Sequence, residues 1–141
     1  MINSLRLIKK EHIRIREILS RIDGCMNGGK VNHLNAMKEL EDLKGIWDAH
    51  ERREENLFYF FQQLGRPFPV ETMFLGQHKQ LRGHLKVLQD AIYSKDLNKF
   101  EVALDTDGRM LIEKIRKHTK NEDRFFDQFV LKGEKSADLE K

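Results

Sequence analysis

The sequence has little of what marks secreted or membrane proteins. One cysteine among 141 residues cannot form an internal disulfide, which fits a reducing compartment. Only two prolines are present, and no stretch approaches the roughly 18 apolar residues of a membrane span. The N-terminal segment MINSLRLIKKEHIRI interleaves charge with apolar residues, unlike a signal peptide. We therefore expect a soluble, cytoplasmic protein with no membrane partner.

The chain also lacks a block of charge of one sign. The formal net charge is +3, but the basic runs at residues 9–10, 52–53 and 114–117 lie beside acids or opposite apolar residues. This pattern is typical of solvated helix faces, so we expect no nucleic-acid partner.

Turn-forming residues divide the chain into four segments with helical periodicity. Gly24 with residues 27–29 ends the first, residues 65–69 the second, residues 94–98 the third and Gly133 the fourth. Short connections make successive helices antiparallel neighbours.

These segments predict an all-α, up-down-up-down antiparallel four-helix bundle. One domain is expected over residues 1–132, followed by a polar, disordered tail over residues 133–141. Asn3 or Ser4, Asn32, and Asp96 or Asn98 are predicted N-caps, and the third helix is predicted to begin just after Pro69.

Each predicted helix carries an apolar seam in steps of three and four that is interrupted at one place. The interruptions are His12, His50 with Glu54, His78, and His118 with Glu122. Residue counts from each turn place them at one level, nearer the end that holds the chain start and the second turn. Burying such groups without partners costs several kcal/mol each. A bound partner must therefore offset the free-energy cost of burying these six polar side chains.

Imidazoles and carboxylates around a shared space are typical metal ligands. The i, i+4 spacing puts His50 beside Glu54, and His118 beside Glu122, on one helix face. Four imidazoles and two carboxylates suit two metal ions with bridging carboxylates. Nitrogen and oxygen donors without cysteine favour iron, manganese or zinc over an iron–sulfur cluster. Any one of these residues alone would be an ordinary helix residue; the pattern across four helices favours a metal site.

The order of these residues, with its two His-x-x-x-Glu motifs, resembles the hemerythrin-like, or HHE cation-binding, domain over about residues 4–131. The resemblance implies a non-haem di-iron centre in which Glu54 and Glu122 bridge the irons and the four histidines are divided between them. An oxo or hydroxo bridge would leave about one open position on each iron. Zinc or manganese are possible substitutes. Ferritin-like proteins use Glu-x-x-His, which fits poorly.

Two positions differ from oxygen-carrying hemerythrins. Those proteins have a fifth histidine where this chain has Arg82, and a last motif of His-x-x-x-x-Asp in place of His118-x-x-x-Glu122, which argues against reversible oxygen carriage. The set of four histidines and two glutamates is more similar to the di-iron domains of iron–sulfur cluster repair proteins and of an iron-sensing ubiquitin ligase subunit than to oxygen carriers. In the latter an acid follows the second histidine. Glu51 occupies that position, either as an additional metal or outer ligand or as the partner of a basic residue.

Four further residues are assigned to the surface or the core. His84 and Glu55 are predicted to face solvent, and His33 to cap a helix or lie at the surface. Trp47 is predicted to lie in the core, where it would also keep water from a metal.

The leading functional hypothesis is a metal-ion-binding, di-iron protein that binds, senses or reduces a small oxidant such as O2, NO or peroxide. Iron storage or donation, including iron–sulfur cluster repair, and a metal-free helical interaction module are alternatives. No catalytic residue, oligomeric state or protein partner is predicted, and whether the centre turns over stays open.

Overall fold

The computed structural model describes residues 2–27 and 30–136, with side chains for residues 4–27 and 30–128. Helices make up nearly all of this part of the chain, and no strand occurs in it. The elements are α1 Ile2–Met26, α2 His33–Gln63, α3 Glu71–Tyr93, α4 Leu97–Ala103, a π-helical segment Leu104–Gly108, and α5 Arg109–Ser136. Because α4, the π-helical segment and α5 follow one another without a break, they form one long helix. The predicted all-α four-helix bundle is confirmed.

The starts of α2, α3 and α4 follow the local signals in the sequence, whereas α1 already includes Ile2, so the prediction of Asn3 or Ser4 as its N-cap was wrong. The Asn32 side chain accepts a hydrogen bond from the Asn35 backbone N–H, and Asp96 accepts from the backbone N–H groups of Asn98 and Lys99. Both caps satisfy donors that the first turn leaves free. The third helix begins at Glu71, shortly after Pro69 as predicted.

The first helix ends at Met26, within the predicted turn of Gly24 and residues 27–29, whereas the last continues past Gly133, its predicted end, to Ser136. One glycine costs a helix only about 1 kcal/mol, which continued packing can offset. Residues 137–141, the rest of the predicted tail, lie outside the described residues.

The helices close a ring around a common core. Helix α1 packs against α2 and α5, α2 packs against α3, and α3 packs against α4, the π-helical segment and α5. No helix in the described residues carries an apolar stretch of the length needed to cross a bilayer.

Two hydrophobic clusters fill the core, one at each side of the polar interruptions. The aliphatic cluster consists of Ile15, Ile18, Leu19, Ile22, Met26, Ala36, Leu40, Leu43, Trp47, Leu81, Leu85, Leu88, Phe100, Ala103, Leu104, Leu111, Ile112 and Ile115. The aromatic cluster consists of Leu5, Ile8, Leu57, Phe58, Phe61, Phe68, Phe74 and Phe126. It lies at the end with the chain start and the second turn, so the polar level is nearer that end, as expected from the residue counts.

The sequence did not predict the π-helical segment Leu104–Gly108 within the last long helix. Its final residue, Gly108, is buried, and a Cβ there would lie 3.1 Å from Leu104 Cδ1. A larger residue would require the Leu104 side chain to shift by a few tenths of an ångström. Glycine thus permits the close packing of this segment.

Candidate metal centre

The polar residues that interrupt the four seams meet in one layer between the two hydrophobic clusters. None has more than 2% of its surface exposed. We call this group the central cluster; its members are His12 from α1, His50 and Glu54 from α2, His78 from α3, and His118 and Glu122 from α5.

The two glutamates lie among the imidazoles of all four helices. Glu54 Oε1 lies 2.9 Å from His50 Nε2 and 3.0 Å from His78 Nε2. Glu122 Oε1 lies 2.9 Å from His118 Nε2 and 3.2 Å from His12 Nε2. Each carboxylate therefore contacts histidines from two different helices.

The donor atoms form two groups that share both carboxylates. Glu54 and Glu122 belong to both groups. The first group also contains His12 and His50, and the second contains His78 and His118. Within each group, one ligand atom of every residue lies within 4.8 Å of those of the other members. The Nε2 atoms of His12 and His50 are 3.1 Å apart. Two neighbouring ligands at about 2.1 Å from one ion would lie about 3 Å apart. The donor atoms are thus spaced as two overlapping sets of metal ligands that share both carboxylates.

Four buried atoms of the central cluster make no hydrogen bond of acceptable geometry among the described residues, although His118 Nε2 and Glu122 Oε1 lie only 2.9 Å apart. They are Glu54 Oε2, His118 Nε2, and both carboxylate oxygens of Glu122. Leaving a buried polar atom unpaired costs about 1 to 3 kcal/mol, and more for a charged group. Unpaired oxygen and nitrogen donors that face one another fit a metal-binding site.

In the metal-free protein the two glutamates of this layer have pKa values shifted in opposite directions. Burial and the negative charge of Glu54 raise the pKa of Glu122 well above its usual value. Burial opposes ionisation of Glu54, but the neighbouring Glu122 carboxyl and the charge on His50 hold the Glu54 pKa well below its usual value. Two adjacent carboxyls thus share one negative charge, as expected for a closely spaced pair. A bound cation would let both ionise.

Two histidines show opposite shifts. Burial disfavours a charged His50, but Glu54 and Glu11 outweigh it and raise the His50 pKa to about 9. Burial lowers the pKa of His118 to about 3, and the other imidazoles of the cluster add to this shift. Neutral His118 therefore keeps a free lone pair for a ligand.

Each histidine of the central cluster donates its outward Nδ1–H to a side chain on a neighbouring helix. His12 donates to Asp123 at 2.6 Å, His50 to Glu11 at 3.1 Å, His78 to Glu55 at 3.2 Å, and His118 to Gln77. We call Glu11, Glu55, Gln77 and Asp123 the outer acceptors. Such hydrogen bonds fix the ring orientation with Nε2 facing inward. In the metal-free protein His50, whose pKa is raised to about 9, also carries a proton on Nε2, and a bound cation would displace it.

Arginines hold the carboxylates among the outer acceptors. Arg53 donates to Glu11 and Arg16 donates to Asp123, each at 3.2 Å. Burial would raise the pKa of both carboxyls, but the histidine and arginine partners lower it, so both stay ionised.

The sequence did not identify the outer acceptors, although it contains a signal for them. Each is adjacent in sequence to a central-cluster residue but serves a histidine of another helix; Glu11 precedes His12, for example, and accepts from His50. Glu55 was predicted to face solvent. Its side chain is 40% exposed, but one oxygen accepts from His78, so that prediction was incomplete. The packing of the helices brings each outer acceptor next to the histidine from which it accepts a hydrogen bond.

Glu51 lies beside the central cluster and points elsewhere. It is 5% exposed and accepts hydrogen bonds from Trp47 Nε1 at 3.2 Å and from Arg82 at 2.8 Å. It also lies near Glu55 and His78, in a third group with ligand-like spacing. Arg82 lies 2.8 Å from Glu51 and 3.8 Å from Glu55, so its guanidinium supplies the positive charge between these two carboxylates.

Aromatic rings close the polar layer from both sides. The Trp47 ring centroid lies 5.4, 5.8 and 5.9 Å from those of His50, His78 and His118. On the other side, Phe74 packs edge-on against His118 at 5.4 Å. These rings exclude water from the layer.

The two remaining histidines lie outside the central cluster. His33 is the first residue of α2, 26% exposed and 3.3 Å from Glu101, in agreement with a surface position. His84 was predicted to face solvent, but its side chain is only 15% exposed. It donates to Asp107 and accepts from Lys114, each at 2.9 Å.

The comparison with known families agrees with this geometry. A family model described as the hemerythrin HHE cation binding domain matches residues 3–129. That range includes the whole central cluster and all outer acceptors. No curated protein and no solved structure matches the chain significantly.

Proposed function

Because the chain belongs to the hemerythrin family of HHE cation-binding domains, we propose that its central cluster holds two iron ions and that the protein binds, senses or reduces a small oxidant such as O2, NO or peroxide. The observation that carries this proposal is that the buried imidazoles and carboxylates have the spacing of metal ligands, while four of their atoms make no hydrogen bond among the described residues.

The two groups of donor atoms suggest how the ligands are shared. His12 and His50 would hold one iron, His78 and His118 the other, and Glu54 and Glu122 would bridge them. Zinc or manganese could occupy the same donors. Glu51 is left out of this set because its hydrogen bonds go to Trp47 and Arg82.

Bound iron would supply redox chemistry and open coordination positions for a small molecule. The protein would supply the rest. The outer acceptors hold the imidazoles with Nε2 inward, and Trp47 and Phe74 keep bulk water out. Arg82 stands where oxygen carriers have a fifth histidine, and its guanidinium is engaged by Glu51. This favours a ligand set with an additional open position, and hence reaction or sensing over reversible oxygen carriage.

A metal-free interaction module is disfavoured by the same four buried atoms that make no hydrogen bond. Without a cation the protein would retain their desolvation cost with no compensation. Storage or donation of iron predicts a different behaviour from a stable reactive centre, namely rapid loss of iron to a chelator upon reduction.

The test is metal analysis followed by anaerobic titration. Protein from iron-replete cells is expected to hold about two irons per chain, as a site with bridging carboxylates requires. The reduced protein should then show a stable nitrosyl spectrum or rapid oxidation by O2 or peroxide. A Glu54→Gln/Glu122→Gln variant should lose the iron, whereas Glu113→Gln, an exposed position on α5, should retain it. Less than about one iron per chain would overturn the proposal.

A further inference from the structure

The two histidine pairs of the central cluster have unequal surroundings. We propose that the metal held by His78 and His118 is the exchangeable one, and that small anions approach it through a lysine-lined cavity beside Gln77. This inference rests on the proposed function, because it concerns the two ions placed there.

The surroundings of His12 and His50 favour tight binding. Their outer acceptors, Asp123 and Glu11, are both carboxylates, with side chains 23% and 15% exposed. Each is also fixed by an arginine. A carboxylate that accepts from a ligand imidazole raises the basicity of that imidazole and hence its affinity for the metal.

The acceptors of His78 and His118 are weaker for two different reasons. Glu55, which accepts from His78, is 40% exposed. Its arginine neighbour Arg82 lies 3.8 Å away because Arg82 is held by Glu51 at 2.8 Å. His118 donates to Gln77, a neutral amide. A neutral acceptor polarises the imidazole less than a carboxylate does. His118 should therefore be the weakest donor of the four histidines.

A cavity reaches this same histidine from the surface. It has a volume of about 180 Å³ and is lined by Gln77, Gln80, Leu81, Lys114, Lys117 and His118. That volume exceeds the roughly 30 Å³ that a water molecule takes up in the liquid. No acid is among these lining residues, and two of them are cationic. Such a cavity suits a small anion.

Lys114 is held in place at this cavity. Its ammonium donates to His84 Nε2 at 2.9 Å, and His84 in turn donates to Asp107 at 2.9 Å. Lys117 is exposed. One lysine is thus positioned by neighbours, and the other can follow a ligand inward.

The first experiment follows iron release from the iron(II)-loaded protein into excess 2,2′-bipyridine, a neutral chelator, under anaerobic conditions. We expect two phases of equal amplitude. Gln77→Glu should slow the fast phase roughly tenfold and leave the slow phase unchanged, in the range typical for partners of metal ligands. Glu11→Gln, the matched control on the other pair, should accelerate the slow phase only.

Each outcome of this experiment decides the proposal. Release of both ions in one phase, or a Gln77→Glu variant that changes only the slow phase, would overturn it while leaving the proposed function intact. Failure to load about two irons would overturn both. If Gln77→Glu does not fold, Gln77→Ala serves instead and should accelerate the fast phase.

A second experiment tests the cavity with azide as the probe, measured by absorption of the oxidised iron-loaded protein. Lys117→Gln should weaken azide binding roughly two- to fivefold, the usual range for an exposed charge, and the effect should disappear at high salt. Lys120→Gln, an exposed control on the same helix, should leave binding unchanged. Equal effects of the two variants, or none of either, would overturn the assignment of the cavity.

Discussion

The two hydrophobic clusters differ in size, composition and connection to the polar layer. The aliphatic cluster has eighteen buried members in the described part of the chain, and they come from every helix and from the π-helical segment. The aromatic cluster has eight, and one of them, Phe68, belongs to the connection between α2 and α3. The aliphatic cluster therefore contributes most to the stability of the bundle, and the aromatic cluster mainly covers the central cluster.

This difference separates the stability of the fold from that of the site. Apolar burial stabilises the aliphatic side at about 25 cal/mol per Å² without any need for a metal. The central cluster costs free energy until a cation neutralises its donors. Substitutions in the aliphatic cluster should thus change the free energy of unfolding equally with and without metal. Substitutions in the central cluster should change it by different amounts in the two states.

The largest expected effect is that of Leu43→Ala. Leu43 is fully buried in the aliphatic cluster, and truncation of such a side chain costs about 2 to 5 kcal/mol. Urea unfolding should show this loss in both the metal-free and the metal-loaded protein. A loss seen in only one of the two states would contradict the separation of fold and site.

A smaller effect is expected for Asp123→Asn, which keeps the shape of the acceptor for His12 and removes its charge. Metal affinity should fall roughly 10- to 100-fold, equivalent to about 1.4 to 2.8 kcal/mol. Competition with a chelator of known affinity measures this change. Asp127→Asn, an exposed position one helical turn away, serves as the control. Equal affinities for wild type and Asp123→Asn would show that the outer acceptor does not act on the metal.

No loss of metal-free stability is expected for Glu122→Gln, although this variant should lose metal binding. The unfolded chain ionises Glu122 near 4.5, whereas the folded, metal-free protein keeps it protonated because its pKa is raised. The contribution of Glu122 to wild-type stability is therefore complete below pH 4.5 and is lost as the pH rises toward the folded-state pKa.

Glutamine mimics the protonated acid and does not titrate. The metal-free variant should thus match wild type at acid pH and become increasingly more stable than wild type as the pH rises. Chemical unfolding at several pH values checks this. A variant that is less stable than the metal-free wild type at neutral pH would mean that Glu122 is ionised and paired there.

Local rules were sufficient for the bundle and for the residues that meet in its core. Periodicity predicted the four long helices, and the Asn32 and Asp96 caps were visible as single residues with a known preference. The interruptions of the seams were informative because a seam residue must point inward. His12 and its counterparts could therefore be placed at one level without coordinates.

The outer contacts could not be predicted in the same way. Whether Glu55 faces solvent or accepts from His78 depends on how two helices are rotated about their axes. Residue counts along the helices give only the height of a side chain in the bundle, to about one turn, and do not determine this rotation. The orientation of Glu51 toward Trp47 and Arg82 has the same origin. The π-helical segment Leu104–Gly108 was not predicted because its residues carry no local pattern that distinguishes it from an α-helix.

The most direct test of the central claim is anomalous X-ray scattering at the iron edge from crystals of the iron-loaded protein. The account predicts two peaks between the carboxylates of Glu54 and Glu122, one within bonding distance of His12 and His50 and the other of His78 and His118. No peak in that layer, or a single peak between Glu51 and Glu55, would contradict it.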